Sequence, residues 1–253
     1  MNTTAILSAL AEEQQGLVEQ LDNPVHVQRA GRDFWRGDLL GHQVVLGLSK
    51  IGKVAAAATA TVLIEAFGVN RIVFTGVAGG IGPGVNVGDV VVATDFVQHD
   101  MDASPLYPRY EVPLYGRSRF HCDSALSAIL LEAARAGVTR ARAQIHPNGQ
   151  DGRLQVHLGL VASGDRFVSS ESESRLILEA LQSAGLEPLA VEMEGAAVAQ
   201  VCFDYGIPFA AMRTISDRAD DQAHVDFPRF VTEVASRYAQ AIMLALVARL
   251  PRN

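Results

Sequence analysis

Short runs of β-branched and aromatic residues alternate along this chain with longer windows rich in alanine and leucine. The short runs are typical of strands, and the longer windows carry apolar residues at helical spacing. The predicted strands are residues 4–9, 34–40, 43–48, 71–75, 89–96, 157–163 and 208–215. The predicted helices are residues 12–20, 53–67, 124–136, 172–184, 193–205 and 227–250.

This alternation predicts an α/β fold in which a central, twisted mixed β-sheet is flanked by helices. Residues 71–75 and 90–94 show no polar alternation, which is expected where both faces of a strand are buried. No repeat, low-complexity tract or linker divides the chain, so we expect one domain spanning residues 1–253.

Two segments read as irregular. Residues 144–153 predict a polar surface turn, whereas residues 99–119 hold several prolines and tyrosines. The second segment is either a solvated loop or a cover over a site or a partner subunit.

Composition excludes several classes of protein. With 49% hydrophobic and 19% charged residues, the 253-residue chain can bury a sizeable core and is not disordered. Its 21 basic and 28 acidic side chains give a formal net charge of −7, which argues against nucleic-acid binding. No apolar run approaches the roughly 20 residues of a membrane span. The N-terminus lacks a basic signal region, and the two cysteines suggest free thiols, so we expect a soluble cytoplasmic protein.

A glycine-rich stretch, residues 76–84, follows the strand at 71–75. Its spacing is neither that of a dinucleotide-binding loop nor that of a P-loop, and another strand follows instead of a helix. Because glycine lacks a Cβ atom, the backbone here can approach a flat ligand or an anion closely. Spacing alone leaves an ordinary tight turn and a ligand loop equally open.

Acidic residues occupy three positions that we expect to lie near strand ends, where ligands bind in α/β sheets. Glu13 follows the first strand, Glu192 and Glu194 flank Met193, and Asp217 follows an apolar strand. Taken singly, such acids are commonly helix N-terminal charges or solvated residues. The histidines and cysteines show no metal-ligand spacing, and no nucleophile elbow is present, so we expect neither a metal nor a covalent mechanism.

Six motifs, taken in order, carry a resemblance that extends from about residue 6 to residue 250. They are Ala9-Leu10-Ala11-Glu12-Glu13, Ser49-Lys50-Ile51-Gly52-Lys53-Val54-Ala55-Ala56, Thr75-Gly76-Val77-Ala78-Gly79-Gly80, Ser163-Gly164-Asp165-Arg166-Phe167, Val191-Glu192-Met193-Glu194-Gly195-Ala196-Ala197 and Arg213-Thr214-Ile215-Ser216-Asp217. Together they resemble the nucleoside phosphorylase/nucleosidase superfamily, and within it the 5′-methylthioadenosine/S-adenosylhomocysteine nucleosidases. The resemblance implies a nucleoside phosphorylase-like fold and hydrolysis of the N-glycosidic bond between adenine and a 5′-thio-substituted ribose.

The resemblance also assigns roles to residues. Asp217 matches the general acid at adenine N7, and Glu13 matches the carboxylate that activates water. Met193 and Glu194 match the ribose-binding pair, and Phe167 matches the ring that stacks on adenine. The backbone of Val168 matches a contact to the purine edge, and Ser216 matches the neighbour of the acid. Arg213 and Glu192 match polar residues that line the site. The glycine-rich stretch contributes the matches Val77, Ala78 and Gly79.

Physical chemistry supports the assignment of one carboxyl group as an acid and another as a base. Cleavage through an oxocarbenium-like transition state calls for an acid at the leaving group and a base across the ring, with room for water. Adenine leaves poorly as an anion, so protonation at N7 accelerates the reaction. A largely buried Asp217 could have the raised pKa that such an acid needs. Hydrogen bonds from ribose to Glu194 can tighten in the transition state.

The chain departs from this family at two places. Val77 stands where these nucleosidases commonly carry a serine that helps to place the water. Beyond residue 102 the loop at 99–119 diverges, although Tyr107 and Pro113 fall roughly where the family forms its 5′-substituent pocket, partly from a dimer mate. The resemblance implies a homodimer and a small-molecule nucleoside substrate, without cofactor, metal, nucleic acid or membrane.

Three alternatives remain. A purine nucleoside phosphorylase would use phosphate, but residues 9–13 and 74–77 lack its phosphate-site motifs, and an anionic Glu13 would repel phosphate. A sister nucleosidase could act on another adenosine derivative such as aminodeoxyfutalosine. A catalytically silent nucleoside-binding protein is suggested only by Val77, because Glu13, Glu194 and Asp217 are all present.

Overall fold

The mixed β-sheet and its helices were traced in a computed structural model. It describes residues 2–14, 16–145, 154–220, 223, 230 and 235–251, of which 141–145 are described by backbone alone. The strands are β1 (Thr4–Ser8), β2 (Asp22–Arg29), β3 (Arg32–Leu39), β4 (His42–Leu48), β5 (Arg71–Gly80), β6 (Val90–Gln98), β7 (Arg119–His121), β8 (Val156–Ser163), β9 (Pro188–Glu192) and β10 (Phe209–Asp217). The helices are α1 (Lys53–Phe67), α2 (Ser124–Ile145), α3 (Glu171–Ser183), α4 (Gly195–Tyr205) and α5 (Ser236–Val247).

Strand β5 is the centre of the sheet. Its first half pairs in parallel with β1 on one edge, and its whole length pairs in parallel with β10 on the other. Its last two residues pair with β9, which continues through β8 and β6 back to β10. These five strands therefore form a closed circuit, from which the sheet extends through β1, β4, β3 and β2 in that order. The predicted mixed β-sheet with flanking helices is confirmed.

Two apolar clusters bury the sheet. Ile72 and Phe74 of β5 face a cluster that includes α1 and α4, whereas Val73 faces one that includes α2 and α5. Both faces of β5 are thus covered, which explains why its sequence lacks polar alternation. The prediction of a doubly buried strand at 71–75 is confirmed.

The predicted helix at 12–20 is wrong. Short 3₁₀ turns at Glu12–Gln14 and Val18–Gln20 stand there instead. The side chain of Glu13 folds back to accept the backbone N–H groups of Ala9 and Leu10. These local hydrogen bonds, together with a third from the distant Val77 N–H, outweigh the helix propensity of a Glu/Gln-rich run.

Several boundaries also differ from the predictions. The glycine-rich stretch continues strand β5 through Gly80, so it forms a tight turn only after that residue. Strands β2, β7 and β9 were missed; β2 is a largely exposed, polar strand that pairs with β3. Helix α2 runs beyond its predicted end at residue 136. Most of the predicted turn at 144–153, and of residues 227–234 in the last predicted helix, lies outside the described residues. Among the described helices, none has the length and apolar character needed to cross a bilayer.

Candidate active site

A cavity of about 310 Å³ opens where five strands of the sheet end. Its wall consists of residues that complete or follow β1, β5, β8, β9 and β10, together with one residue before α1. They are Ala9, Leu10, Glu13, Ile51, Val77, Ala78, Gly79, Arg166, Phe167, Val168, Val191, Glu192, Met193, Glu194, Ser216 and Asp217. Carboxyl ends of strands are where α/β sheets bind ligands, because the chain leaves the sheet there and opens a crevice.

Glu13 lines this cavity and is 2% exposed. Its Oε2 accepts the N–H groups of Ala9 (2.8 Å) and Leu10 (3.0 Å), and its Oε1 accepts the N–H of Val77 (3.1 Å). Burial raises the pKa of Glu13, while these hydrogen bonds and the nearby Arg213 charge oppose that rise. The carboxyl group is therefore fixed in orientation and is less acidic than a solvated glutamate.

Asp217 also lines the cavity and is likewise 2% exposed. It ends β10 at a bulge between Ile215 and Asp217. Its Oδ2 accepts the hydroxyl of Ser216 at 2.7 Å, and its Oδ1 accepts the N–H of Ala219 at 2.8 Å. Bulges re-aim a side chain out of the ladder, and here the bulge directs a carboxyl group into the cavity wall.

Two glycines of β5 make room for these carboxyl groups. A Cβ atom on Gly76 would lie 3.1 Å from Glu13 Oε1, and one on Gly79 would lie 3.0 Å from Asp217 Oδ1 and 2.8 Å from Ala219 Cβ. The glycines are three residues apart on a strand, so they are separated by roughly 10 Å. Glu13 and Asp217 thus line one cavity, each beside a different glycine of β5.

Glu194 is the residue before α4 and is 6% exposed. Its Oε1 accepts the N–H of Gly52 at 2.9 Å, across 142 positions of sequence. Burial, reinforced by the negative charge of Glu192, raises the pKa of Glu194 to about 8. This carboxyl group can exchange its proton near neutral pH and can hydrogen-bond a ligand hydroxyl.

Glu192 ends β9 and forms a buried ion pair with Arg213 of β10, whose Nη2 lies 2.7 Å from Glu192 Oε2. Arg213 also donates to the carbonyl of Met212 at 2.9 Å and stacks over the ring of Phe74 at 4.2 Å. Of these residues only Glu192 lines the cavity, and Arg213 is 1% exposed. Arg213 thus neutralises Glu192 from beneath and does not form part of the wall.

The rest of the wall is largely apolar. Phe167 is 42% exposed at the rim, above Val168 and Val191. Leu10, Ile51 and Met193 also line the cavity. An apolar slot with a rim aromatic suits a flat heterocycle, because stacking removes both faces of the ring from water. Within the described residues, no group of three or more His, Cys, Asp or Glu side chains is arranged to hold a metal ion.

A family model, that of the phosphorylase superfamily, matches residues 3–248. The chain belongs to this superfamily. Among curated members, the 5′-methylthioadenosine/S-adenosylhomocysteine nucleosidase of Bacillus thuringiensis (strain Al Hakam) is 34% identical over 243 residues, which is 96% of this chain and 97% of the relative.

Solved structures of superfamily members have the same fold. The 5′-methylthioadenosine/S-adenosylhomocysteine nucleosidase of Neisseria meningitidis, in complex with methylthio-immucillin-A, superposes with a TM-score of 0.86 at 34% identity, covering 99% of this chain and 100% of that one. A futalosine hydrolase of Helicobacter pylori gives a TM-score of 0.82 at 30% identity, with 98% of each chain covered. The predicted resemblance to nucleosidases of this superfamily is confirmed.

The structure brings most of the predicted site residues into one wall of this superfamily member. The exceptions are Arg213, which lies behind Glu192, and the loop residues Tyr107 and Pro113, which do not line the cavity of this chain. Motif matching had not assigned a role to Ile51 or Arg166, although both lie inside quoted motifs. The sequence offered one signal for them: Ile51 is next to Gly52, and Arg166 is next to Phe167.

Proposed function

We propose that this protein hydrolyses the N-glycosidic bond of 5′-thio-substituted adenosines, methylthioadenosine and S-adenosylhomocysteine, to adenine and the thioribose. The observation that carries the proposal is that Glu13 and Asp217 line one cavity, with a glycine of β5 beside each. Relatives at 34% identity, named as nucleosidases for these two substrates, support it.

In this proposal Asp217 donates a proton to adenine N7 as the glycosidic bond breaks. Ser216 and the N–H of Ala219 occupy one lone pair on each carboxyl oxygen, which fixes the direction in which the carboxyl group faces. Protonation turns a poor anionic leaving group into neutral adenine. Phe167 at the rim supplies a stacking face for the base.

Glu13 takes a proton from the attacking water at the other face of the sugar. Its three backbone hydrogen bonds hold it in place, and its raised pKa makes it a stronger base than a solvated glutamate. Val77 donates its backbone N–H to Glu13 and has no side-chain hydroxyl, so the water is positioned by Glu13 and the neighbouring backbone. Glu194 accepts hydrogen bonds from the ribose 2′- and 3′-hydroxyls, and Met193 packs beside them.

Charge disfavours phosphate as the nucleophile. The charged wall residues in the described part of the chain are Glu13, Glu192, Glu194, Asp217 and Arg166. Arg166 lies at the rim with its side chain 75% exposed and bonded to Glu173, away from Glu13. A phosphate beside Glu13 would meet carboxylates and no inward cation, so water is the expected nucleophile.

A second candidate activity is hydrolysis of an aminodeoxyfutalosine-type nucleoside. It is favoured by the Helicobacter pylori futalosine hydrolase, which matches this chain at 30% identity over nearly its full length. Both reactions release a purine base by the same acid and base. They differ in the 5′-group alone, so substrate competition distinguishes them.

We also propose a homodimer in which the loop at 99–119 of one copy covers the 5′-end of the other copy's cavity. Leu106 is 84% exposed and Leu114 is 90% exposed, close in sequence to Tyr107 and Pro113. Large apolar side chains at such exposure favour contact with a partner. The free thiols of the half-buried Cys122 and the buried Cys202 fit a reducing, cytoplasmic compartment.

The test is base release from methylthioadenosine, S-adenosylhomocysteine, adenosine, inosine and aminodeoxyfutalosine, with and without phosphate. We expect phosphate-independent release from the first two, and a loss of several orders of magnitude in Asp217→Asn with ligand binding retained. Asp33→Asn, which changes an exposed aspartate bonded to His26, is the matched control. Release that needs phosphate, or an Asp217→Asn enzyme with full turnover, would contradict the proposal.

A further inference from the structure

The turn Ser163-Gly164-Asp165 after β8 belongs to neither the proposed acid nor the proposed base, yet its side chains reach two helices. Ser163 contacts the start of α4, and Asp165 contacts the start of α1. Glu194 lies between those two helix starts. We propose that Ser163 and Asp165 are positioning residues that hold the Glu194 carboxylate where it meets the ribose hydroxyls, an inference that rests on the proposed function.

Ser163 acts from the α4 side. It is fully buried, its hydroxyl donates to Glu192 Oε1, and its Oγ accepts the N–H of Ala196 at 2.8 Å. Glu192 in turn accepts the N–H groups of Glu194 (3.2 Å) and Gly195 (2.9 Å). The first N–H groups of a helix need partners, and a capping residue ordinarily supplies one from its own side chain. Here neighbouring strands supply them, which leaves the Glu194 side chain available to the cavity.

Asp165 acts from the α1 side. Its Oδ1 accepts the N–H of Lys53, the first residue of α1, at 2.7 Å. The preceding N–H, that of Gly52, donates to Glu194 Oε1 at 2.9 Å. Adjacent backbone donors of one helix start are therefore shared between Asp165 and Glu194. The two N–H groups belong to consecutive peptide planes that meet at the Cα of Gly52, so the Asp165 hydrogen bond restrains the backbone next to the Gly52 donor.

The turn itself is held rigidly. The N–H of Asp165 donates to Asp100 Oδ2 at 2.9 Å, and Lys53 Nζ lies 2.6 Å from Asp100 Oδ1. A Cβ atom on Gly164 would lie 2.2 Å from His99 Nε2, so only glycine lets the turn pack against that ring. Hydrogen bonds to a ligand depend on sub-ångström placement, which a frame fixed from two sides provides.

The experiment uses calorimetry to measure dissociation constants for methylthioadenosine and its 2′,3′-dideoxy counterpart. It is done in an Asp217→Asn background, so that the ligand is not cleaved during the measurement. Adding Ser163→Ala or Asp165→Ala should weaken the binding of methylthioadenosine about 10-fold, as expected for the loss of one hydrogen bond, and leave the binding of the dideoxy ligand unchanged. Asp165→Asn should restore binding, because its amide oxygen still accepts the Lys53 N–H. Ser127→Ala is the matched control, since Ser127 is a buried serine remote from the cavity.

Equal weakening of both ligands, or an Asp165→Asn variant that behaves like Asp165→Ala, would overturn the positioning role. Exposed Asp165 can be replaced without disturbing the core, so the inference remains testable even if Ser163→Ala fails to fold. Adenine release by the wild-type protein is measured separately, and its failure would reject the proposed activity but not the positioning role. Equal affinity of the Asp217→Asn parent for the two ligands would reject the hydroxyl contact and the positioning role together.

Discussion

Replacing Glu194 by glutamine tests the electrostatics of the cavity through protein stability. The substitution keeps an oxygen that accepts the Gly52 N–H and removes the titratable group. The pKa of Glu194 is raised from 4.5 to about 8, so between these values the folded protein keeps a proton that the unfolded chain releases. The contribution of Glu194 to stability is therefore fully present below pH 4.5 and is lost as the pH rises towards 8.

The magnitude follows from the size of the shift. At pH 7 the unfolded glutamate is ionised and the folded one is largely protonated, which costs the folded state about 3 kcal/mol relative to a neutral side chain. The cost rises to about 5 kcal/mol at pH 9 and falls below about 1 kcal/mol at pH 5. Glu194→Gln should raise the free energy of unfolding by these amounts. At pH 7 this corresponds to an increase in Tm of roughly 6–12 °C for a chain of this size.

The assay is thermal and urea unfolding of wild type and Glu194→Gln at pH 5, 7 and 9. Glu179→Gln is the control, because that glutamate is 62% exposed in a loose pair with Arg175 and should change stability by less than about 0.5 kcal/mol. A gain that does not grow with pH, or a loss of stability at pH 9, would show that Glu194 ionises freely in the folded state and would refute the reasoning.

Other substitutions give equally definite expectations. Arg213→Met should lower the free energy of unfolding by about 3–5 kcal/mol in urea titrations, because it leaves the Glu192 carboxylate buried and unpaired; the double variant with Glu192→Gln should recover most of that loss. Phe167→Ala should weaken adenine binding roughly 5- to 150-fold in calorimetry while leaving Tm unchanged, because the ring is 42% exposed at the rim. Gly79→Ala should reduce kcat at least 10-fold with a smaller change in KM, since its Cβ would lie 3.0 Å from Asp217 Oδ1; unchanged kcat would show that the acid tolerates displacement.

The local sequence pattern was sufficient to predict those helices and strands whose formation is determined by the residues within them. Helix α1 was predicted at the residues that the structure assigns to it, because an alanine-rich window bounded by glycines has few alternatives. Uninterrupted apolar runs predicted that β5 and β6 are buried on both faces. The ordered motifs identified Glu13, Glu194, Asp217 and Phe167, all of which line the cavity.

Only the tertiary structure decided how those residues are held. Nothing local in sequence indicates that Glu13 bends a helix-forming run into a 3₁₀ turn, or that Gly52 donates to Glu194 from 142 positions away. Arg213 looked like a lining residue, and the pairing of β10 with β5 instead places it behind Glu192. Spacing could not assign the glycine-rich stretch, because its role is to leave room for carboxyl groups from distant segments. Propensity and periodicity report on neighbours along the chain, whereas contacts between strand ends are set by how the whole sheet closes.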